Sequence, residues 1–216
     1  KLSLLFDLNR NRNITHTALS RLKELQTTEG GWSWFKGFRP SISITQYILY
    51  GFSQLKGLNV EEVSDEVNTM QARAVSYIDS EAIRRFESLK KYNKDWKNIK
   101  SISTTDLEFL FVRSSYNNHQ MDNAVSDLYS FYISVLDKNW TSYGLYERSL
   151  IAQLMHKEGK ALVVQDIIKS YREHSVVSDE LGMHWPNNRS NVFMSQSAIS
   201  VHTFIMNAFM VSGASN

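Results

Sequence analysis

The sequence contains no cysteine among its 216 residues. Disulfide bonds, thiolate nucleophiles, zinc-thiolate sites and iron-sulfur clusters are therefore excluded. A chain of this length can bury a core of useful size without such cross-links. Because reducing and oxidising surroundings both tolerate a cysteine-free protein, this absence assigns no compartment.

The sequence also lacks a charge imbalance and a long apolar run. Its 24 Lys and Arg residues stand against 22 Asp and Glu residues, a net charge of +2, which indicates no polyanion and hence no nucleic-acid partner. The longest apolar runs, such as residues 161–164, are far shorter than the roughly 20 residues of a membrane span. We therefore expect a soluble chain that makes no direct membrane contact. Because the first residues, KLSLLFDLNR, include no initiating Met, we also expect a fragment of a larger multidomain protein.

Proline and glycine are scarce and concentrated. The two prolines are Pro40 and Pro186, and four of the nine glycines lie in the same two segments. Those four are Gly30, Gly31, Gly37 and Gly182. The two segments are the strongest breaks in the chain.

Elsewhere the apolar residues recur at helical spacing instead of alternating. The first predicted stripes are Ile14, Ala18, Leu22 and Leu25, then Ile44, Ile48, Phe52 and Leu55 with Gly57 ending the helix, then Val63, Val67, Met70, Ala74 and Ile78. The third helix is expected to continue to about Lys91, with a possible break near Ser80. Further helices are predicted at residues 107–113 and at 124–136, the latter with Asp122 as its cap. Three more stripes predict the remaining helices: Tyr146, Leu150 and Leu154 up to Gly159; Ala161, Val164, Ile168 and Tyr171; and Val201, Ile205 and Ala208.

About eight helices with short connections, and no convincing alternating strand, predict an all-α protein. Short connections favour antiparallel pairs. A weak repeat supports this arrangement, since a helix, the turn GWSW (31–34), a loop and a helix are echoed by a helix, the turn GMHW (182–185), a loop and a helix. We therefore predict one domain over residues 1–216, an α/α toroid forming a partial ring of antiparallel helical hairpins.

The first turn contains Gln26, Gly30 and Trp32 in a pattern similar to the Gln-Trp motif of triterpene cyclases, whose domains are rings of helical hairpins. A structural role follows from the residue types: the Gln amide satisfies groups at a helix end, glycine permits the turn, and Trp packs on the next helix. The functional alternative makes Trp32 and Trp34 the wall of a pocket for a hydrophobic or carbocationic ligand. We favour the structural role, with both tryptophans packed between helices. On the same grounds Gln26, Gly30, Gly31, Trp32, Trp34, Gly182 and Trp185 are predicted to be structural turn residues.

The catalytic motifs that accompany such rings are missing. Neither Asp-x-Asp-Asp nor Asp-Asp-x-x-Asp occurs, and no cysteine can join a zinc site. The six histidines form no i, i+4 pair, although His184 lies beside Trp185. Asp106 and Glu108 are interpreted as acidic residues at a helix N-terminus. We therefore predict no catalytic residue, no metal and no cofactor.

A lysine-rich segment is the remaining unusual feature. Lys90, Lys91, Lys94, Lys97 and Lys100 are interleaved with Tyr92 and Trp96. Such a pattern can mark a nucleic-acid surface. Because the net charge is small, we interpret it as a solvated helix end and loop.

The order of motifs resembles the bacterial branch of the alpha-2-macroglobulin family, in its complement-like, thioester-type helical domain. The matching segments are LLFDLNR, ALSRLKELQTTEGGWSWFKG, SITQYILYGFSQLKGL, TTDLEFLFVRS, LYERSLIAQLMHKEGK, ELGMHW and SAISVHTFIMNAF. The resemblance implies an extracytoplasmic protein, on the periplasmic face of a bacterial membrane through a lipid anchor elsewhere in the parent protein. Its partners would be target proteases and macroglobulin-type β-sandwich domains of the same polypeptide.

Members of this family trap proteases by conformational change, and many also acylate them through a Cys-Gly-Glu-Gln thioester. Because this chain has no cysteine, it contains no thioester, and the resemblance favours a branch that lacks one. The function predicted is a non-catalytic domain acting by steric capture. The alternative is an α/α-toroid enzyme acting on a lipid, as terpene cyclases do, or on a polysaccharide.

Overall fold

The computed structural model describes residues 8–57, 65–188 and 197–213. Within these ranges the chain is all-α, as predicted, with eight α-helices and one short pair of strands. The helices are α1 (Leu8–Leu25), α2 (Ile42–Gly57), α3 (Asp65–Tyr92), α4 (Thr104–Arg113), α5 (Asn123–Asn139), α6 (Leu145–Lys157), α7 (Ala161–Glu173) and α8 (Ala198–Val211). Two short 3₁₀ turns, Trp96–Asn98 and Trp140–Ser142, follow α3 and α5.

Several helices begin at a side chain that accepts a hydrogen bond from the first turn. Asp122 accepts from the backbone nitrogen of Val125 at 2.8 Å, which confirms the predicted cap of α5. Ser197 accepts from the backbone nitrogen of Ser200 at the start of α8. Each cap satisfies a backbone N–H that has no partner within its own helix.

The chain divides into two compact units. The first comprises residues 1–88 and 115–121, and the second comprises residues 89–114 and 122–216. In the first unit, α3 buries Val67, Met70, Ala74 and Ile78 along one face. The hydroxyl of Tyr116 donates to the carbonyl oxygen of Leu49 at 2.7 Å, which ties the 115–121 segment to α2.

In the second unit, α6 is the central helix. It contacts α4, α7 and α8, and residues 149–155 are all buried. The predicted stripes of α6, α7 and α8 are confirmed from Tyr146 and Val164 onward, although Ala161 at the start of α7 is exposed. A helix that is buried on all sides needs apolar or satisfied polar residues around its whole circumference. Ser149 meets this need because its hydroxyl donates to the carbonyl oxygen of Tyr146 at 2.6 Å.

Three predictions about local structure are wrong. No break occurs near Ser80, where α3 continues and the serine hydroxyl donates to the Ser76 carbonyl oxygen at 2.9 Å. Ile14 is 56% exposed, so the N-terminal part of the α1 stripe is not a buried face. In α2 the fully buried residues are Thr45, Gln46 and Leu49, a different face from the predicted one. Val63 lies outside the described residues.

The strand pair was also missed. β1 (Val176–Ser178) pairs antiparallel with β2 (Gly182–His184), and Val177 faces Met183 across the pair. Strands of three residues are too short to display alternation, and Val177 is 70% exposed, so no apolar pattern marks them. Gly182 has φ +64°, a left-handed conformation that lets the chain enter β2 directly after the turn.

Candidate functional site

Trp32 is the centre of the first predicted turn. Its side chain is fully buried, as expected, and its indole nitrogen donates to the carbonyl oxygen of Leu22 at 2.8 Å, in the last turn of α1. Its backbone nitrogen donates to the hydroxyl of Thr45 at 2.8 Å, and its carbonyl oxygen accepts from the backbone nitrogen of Ser41 at 2.8 Å. One residue therefore joins the end of α1 to the start of α2. We call this arrangement the Trp32 junction.

Gln26 completes the Trp32 junction in a way the sequence did not indicate. Its amide nitrogen donates to the carbonyl oxygen of Gly30 at 2.7 Å and to that of Met70 at 2.8 Å. Met70 lies in α3, so the amide bridges the turn to a third helix instead of satisfying the end of α1. The carbonyl at the end of α1 is served by the Trp32 indole.

The two glycines of the turn are required by the close approach of α3. Gly30 has φ +95°, and a Cβ there would collide with the carbonyl oxygen of Arg73. A Cβ on Gly31 would lie 2.6 Å from the ring of Tyr77 and 2.8 Å from Pro40. Distances this short are not tolerated between carbon atoms. The turn therefore packs directly against α3.

Side chains of α3 hold the other side of the turn. The Arg73 guanidinium donates to the carbonyl oxygen of Thr27 at 2.9 Å, and the Tyr77 hydroxyl donates to that of Pro40 at 3.2 Å. Burial, together with the nearby carboxylates of Glu81 and Glu29, raises the pKa of Tyr77 to about 12. The phenol consequently stays neutral and keeps donating throughout the physiological range.

Trp34 is not part of this packing. Its side chain is 59% exposed, so the prediction that both tryptophans pack between helices is wrong for this residue. The physical reason is the path of the chain after the turn: the side chains of Trp32 and Ser33 are already held inside, and the following residues turn outward. Phe35 and Phe38 are also exposed.

The second predicted turn contains an equivalent tryptophan. Trp185 is 6% exposed, and its indole nitrogen donates to the carbonyl oxygen of Tyr171 at 2.9 Å, in the last turn of α7. Its ring also meets the rings of His202 and Phe209 on α8, with centroids 5.5 and 6.5 Å away. Trp185 thus joins the end of one helix to the next, as Trp32 does. We call this arrangement the Trp185 junction.

The structure corrects the register of the repeat. Aligning GWSW with GMHW by sequence pairs Trp34 with Trp185, but the indole that binds a helix-end carbonyl in the first turn belongs to Trp32. Gly31 and Gly182 are not equivalent either. Gly31 is crowded by α3, whereas Gly182 is in the strand pair and has open space around its α-carbon.

Asp106 and Glu108 have different environments. Asp106 lies in the first turn of α4, where its carboxylate accepts from the Ser103 hydroxyl at 2.6 Å and its backbone nitrogen donates back to that hydroxyl at 3.1 Å. This confirms its interpretation as a residue of the helix N-terminus. Glu108 lies further along the helix and accepts from the Tyr146 hydroxyl at 2.9 Å. Burial raises its pKa, the Tyr146 bond partly opposes the rise, and the charge of Glu147 adds to it.

Sequence reasoning missed a polar cluster near the ends of α4 and α6. The hydroxyl of Tyr129 donates to the carboxylate of Glu158 at 2.8 Å, and the ammonium of Lys157 donates to the Ser114 hydroxyl at 3.0 Å. Burial lowers the pKa of Lys157. Burial, together with the Glu158 carboxylate, raises the pKa of Tyr129. Arg113 is fully buried close by, and its charge opposes that rise. No sequence motif marks these residues, because they come from three helices.

The lysine-rich segment is a solvated helix end and loop, as interpreted. Lys91, Lys94, Lys97 and Lys100 are all exposed. The ammonium groups of Lys90 and Lys97 lie 5.5 and 5.6 Å from the centre of the Trp96 ring. That ring in turn packs edge-on against Phe131 at 5.3 Å. Trp96 therefore lies beside two lysine ammonium groups and contacts Phe131 of α5.

Neither a metal cluster nor a membrane span is found in the described parts of the chain. There, no group of three or more His, Asp or Glu side chains is arranged to hold a metal ion. The helices at residues 8–57, 65–188 and 197–213 include none that is both long and apolar enough to cross a bilayer. His184 contacts the carbonyl oxygen of Gly182 within its own strand at 3.2 Å.

Comparisons with models of protein families, with curated proteins and with solved structures find no match to this chain.

Proposed function

We propose that this chain is a non-catalytic helical domain of a bacterial protease-trapping protein of the alpha-2-macroglobulin type. In this proposal the parent protein encloses an attacking protease after a conformational change. The domain acts with macroglobulin-type β-sandwich domains of the same polypeptide. It lies outside the cytoplasm, on the periplasmic face of a bacterial membrane, to which a lipid anchor elsewhere in the parent protein attaches it. It needs no cofactor, and without cysteine it supplies no thioester.

The observation that carries the proposal is the pair of tryptophan junctions. Each one fixes the end of a helix to the following helix through a buried indole, at 2.8 Å for Trp32 and 2.9 Å for Trp185. Recurring helix-loop-helix joints of this kind are what a partial ring of hairpins requires, since each pair buries its apolar face against a neighbour. The α/α toroid is part of the proposal on this ground.

The junctions also coincide with the segments on which the family resemblance is strongest. In the Ile-Thr-Gln-Tyr segment of α2, Thr45 and Gln46 are 0% and 2% exposed, and Thr45 accepts the backbone N–H of Trp32. The bond to Trp32 explains why a polar residue is buried at position 45, where the apolar pattern of a helix would not place it. Thr45, like Trp32, therefore belongs both to the segments that suggest the family and to the joint.

Steric capture is tested on the full-length parent protein with trypsin as the protease. After incubation, hydrolysis of casein and of a small chromogenic peptide are measured in the same sample. Enclosure should reduce casein hydrolysis while peptide hydrolysis persists, because only the large substrate is kept from the enclosed active site. Treating the protein with methylamine beforehand should change neither rate if the trap works without a thioester.

Three results decide between the alternatives. Loss of both activities indicates blockage of the active site and contradicts enclosure. Equal survival of both indicates no capture and contradicts the proposal as a whole. Loss of capture after methylamine leaves the trap intact but overturns the thioester-free form of it.

A further inference from the structure

Residues 34–39 form a continuous exposed stretch with an unusual composition. The side chains of Trp34, Phe35 and Phe38 are 59%, 66% and 66% exposed. Lys36 and Arg39 are exposed beside them. We call residues 34–39 the aromatic turn. Three large aromatic side chains on one short exposed stretch need an explanation, whereas scattered single ones do not.

The aromatic turn has a defined shape. The backbone nitrogen of Phe38 donates to the carbonyl oxygen of Phe35 at 3.1 Å, and that oxygen also accepts from the Ser33 hydroxyl at 2.8 Å. Gly37 has φ +86°, the left-handed conformation that a turn of this kind needs at its third position. The rings of Phe35 and Phe38 pack edge to face with centroids 5.7 Å apart.

Both ends of the aromatic turn are fixed to the buried Trp32 junction. On one side Trp32 and Ser33 are buried, and on the other the Pro40 carbonyl oxygen accepts from the Tyr77 hydroxyl at 3.2 Å. The exposed aromatic rings are thus held outside by the joint beneath them. Because the shape of the aromatic turn is already set, little conformational entropy is lost when its rings bind to a surface.

The residues of the aromatic turn carry charge of one sign, on Lys36 and Arg39, although Glu29 and Glu81 lie near Tyr77 at the Pro40 end. No Asp or Glu occurs anywhere from Gly30 to Val60, although the whole chain has 22 of them. In the part of the chain that the structure describes, neither Lys36 nor Arg39 takes part in an ion pair. The surface that this turn complements is therefore apolar at its centre and negatively charged around it.

We propose that the aromatic turn inserts into the headgroup region of an anionic lipid bilayer. The indole of Trp34 has one polar and one apolar side and favours the bilayer interface, and the rings of Phe35 and Phe38 supply apolar surface that enters it. Lysine and arginine bind anionic headgroups beside them. A protein surface is the alternative occupant, and the vesicle experiment below distinguishes the two.

This inference departs from the expectation that the chain makes no direct membrane contact. That expectation came from the lengths of apolar runs, which detect membrane-spanning helices. A turn that enters only the interfacial layer needs a few aromatic residues and cations, and no apolar run. The inference is independent of the protease-trap proposal.

Vesicle binding tests the inference directly. The 216-residue chain is sedimented with vesicles of phosphatidylcholine alone and with vesicles that also contain phosphatidylglycerol. We expect binding to the anionic vesicles, weakened by added salt. Joint replacement of Trp34, Phe35 and Phe38 by Ser should weaken it about tenfold or more. Lys36→Glu with Arg39→Glu should weaken it by about 25-fold, about fivefold for each lost cation.

A matched charge control separates this turn from general attraction. Lys94→Glu with Lys97→Glu makes the same change in net charge, from +2 to −2, on the lysine-rich segment. We expect this variant to bind nearly as well as the unchanged chain. All variants alter exposed side chains, and circular dichroism with thermal unfolding checks that each one is folded.

Insertion also has a fluorescence signature. Lipids brominated near the headgroup should quench Trp34, and the quenched fraction should fall in Trp34→Phe while that variant still sediments with vesicles. Absence of binding to anionic vesicles overturns the inference in favour of a protein surface. Unchanged binding by the triple Ser variant, or equal loss in the Lys94/Lys97 control, overturns it as well.

Discussion

The indole nitrogen of Trp185 donates a hydrogen bond to the carbonyl oxygen of Tyr171 at 2.9 Å, in the last turn of α7. The last carbonyls of a helix have no partner within it, so a buried helix end needs such a donor. Tyr171 is itself fixed at its other end, because its hydroxyl donates to the carbonyl oxygen of Leu145 at 2.7 Å. The bond therefore links the end of α7 to the start of α6 and to the loop before α8.

Replacing the indole of Trp185 by a phenyl ring tests this link. Trp185→Phe keeps an aromatic ring but loses the N–H and leaves a gap, so we expect a loss of about 2–4 kcal/mol in the free energy of unfolding. Urea denaturation followed by circular dichroism measures it. Trp34→Phe is the matched control, expected to change stability by less than about 0.5 kcal/mol because Trp34 is exposed. Equal effects of the two substitutions would show that the indole bond at position 185 contributes nothing.

Two glycines of the first unit should respond oppositely to alanine. Gly31→Ala places a methyl group against Tyr77 and Pro40, and we expect a loss of about 1–3 kcal/mol from the resulting strain. Gly51 lies within α2 with open space around its α-carbon. Gly51→Ala should therefore gain up to about 1 kcal/mol from helix propensity.

Thermal unfolding of both variants checks the pair. The close approach of α3 to the turn is contradicted if Gly31→Ala matches the unchanged chain. Gly51→Ala shows separately whether an added methyl group in this unit is harmful in itself.

The helices could be predicted from the sequence, because the apolar spacing that marks a helix can be recognised within each segment alone. The amphipathic stripe of α7 from Val164 to Tyr171 is an example. Which face is buried depends on partners that the pattern does not contain. In α2 the buried Thr45 is polar, and its role exists only because the backbone of Trp32 lies opposite.

The same limit explains the errors at the candidate site. Trp32 and Trp34 are chemically identical and two residues apart, yet one is fully buried and the other is 59% exposed. Only the position of Leu22, ten residues before Trp32 and at the end of a helix, distinguishes them. Glu108 likewise resembles Asp106 in sequence, but its burial, the Tyr146 hydroxyl and the charge of Glu147 give it a different environment.

Replacing Gln26 tests whether its amide donor stabilises the Trp32 junction. Its amide nitrogen donates to two carbonyl oxygens, those of Gly30 and Met70. Gln26→Leu removes the donor, and we expect a loss of about 1–3 kcal/mol. Gln26→Glu has nearly the same shape and keeps an oxygen for the Arg73 guanidinium, which donates to Gln26 Oε1 at 3.4 Å, but it presents a carboxylate to the two carbonyl oxygens. We therefore expect this variant also to lose stability at neutral pH.

Acid should restore the stability of the Glu variant but not that of the Leu variant. Protonation gives the Glu side chain an O–H donor, so the stability of Gln26→Glu should recover as the pH falls, measured against the unchanged chain at each pH. The Leu variant has no group to protonate at this position and serves as the control. If the Leu variant is as stable as the Gln original, the donor role of Gln26 is refuted.

The raised pKa of Glu108 predicts in which direction the free energy of unfolding changes with pH. Burial raises the pKa of its carboxyl in the folded protein above the ordinary value of about 4.3, so the folded chain keeps this proton to a higher pH than the unfolded chain does. The unfolded state then binds fewer protons, and stability falls with rising pH in this interval. The contribution of Glu108 is complete below its unfolded pKa and is lost as the pH rises through its folded pKa.

Glu108→Gln removes this titration while keeping an oxygen that can accept the bond from the Tyr146 hydroxyl. We therefore expect the variant to be more stable than the unchanged chain at neutral pH, with the difference shrinking as the pH falls toward about 4. Urea denaturation at a series of pH values measures this. Glu24→Gln, at an exposed ion pair with Arg21, is the control and should differ by less than about 0.5 kcal/mol. If Glu108→Gln instead destabilises the protein at neutral pH, the expected cost of the ionised carboxylate at this position is contradicted.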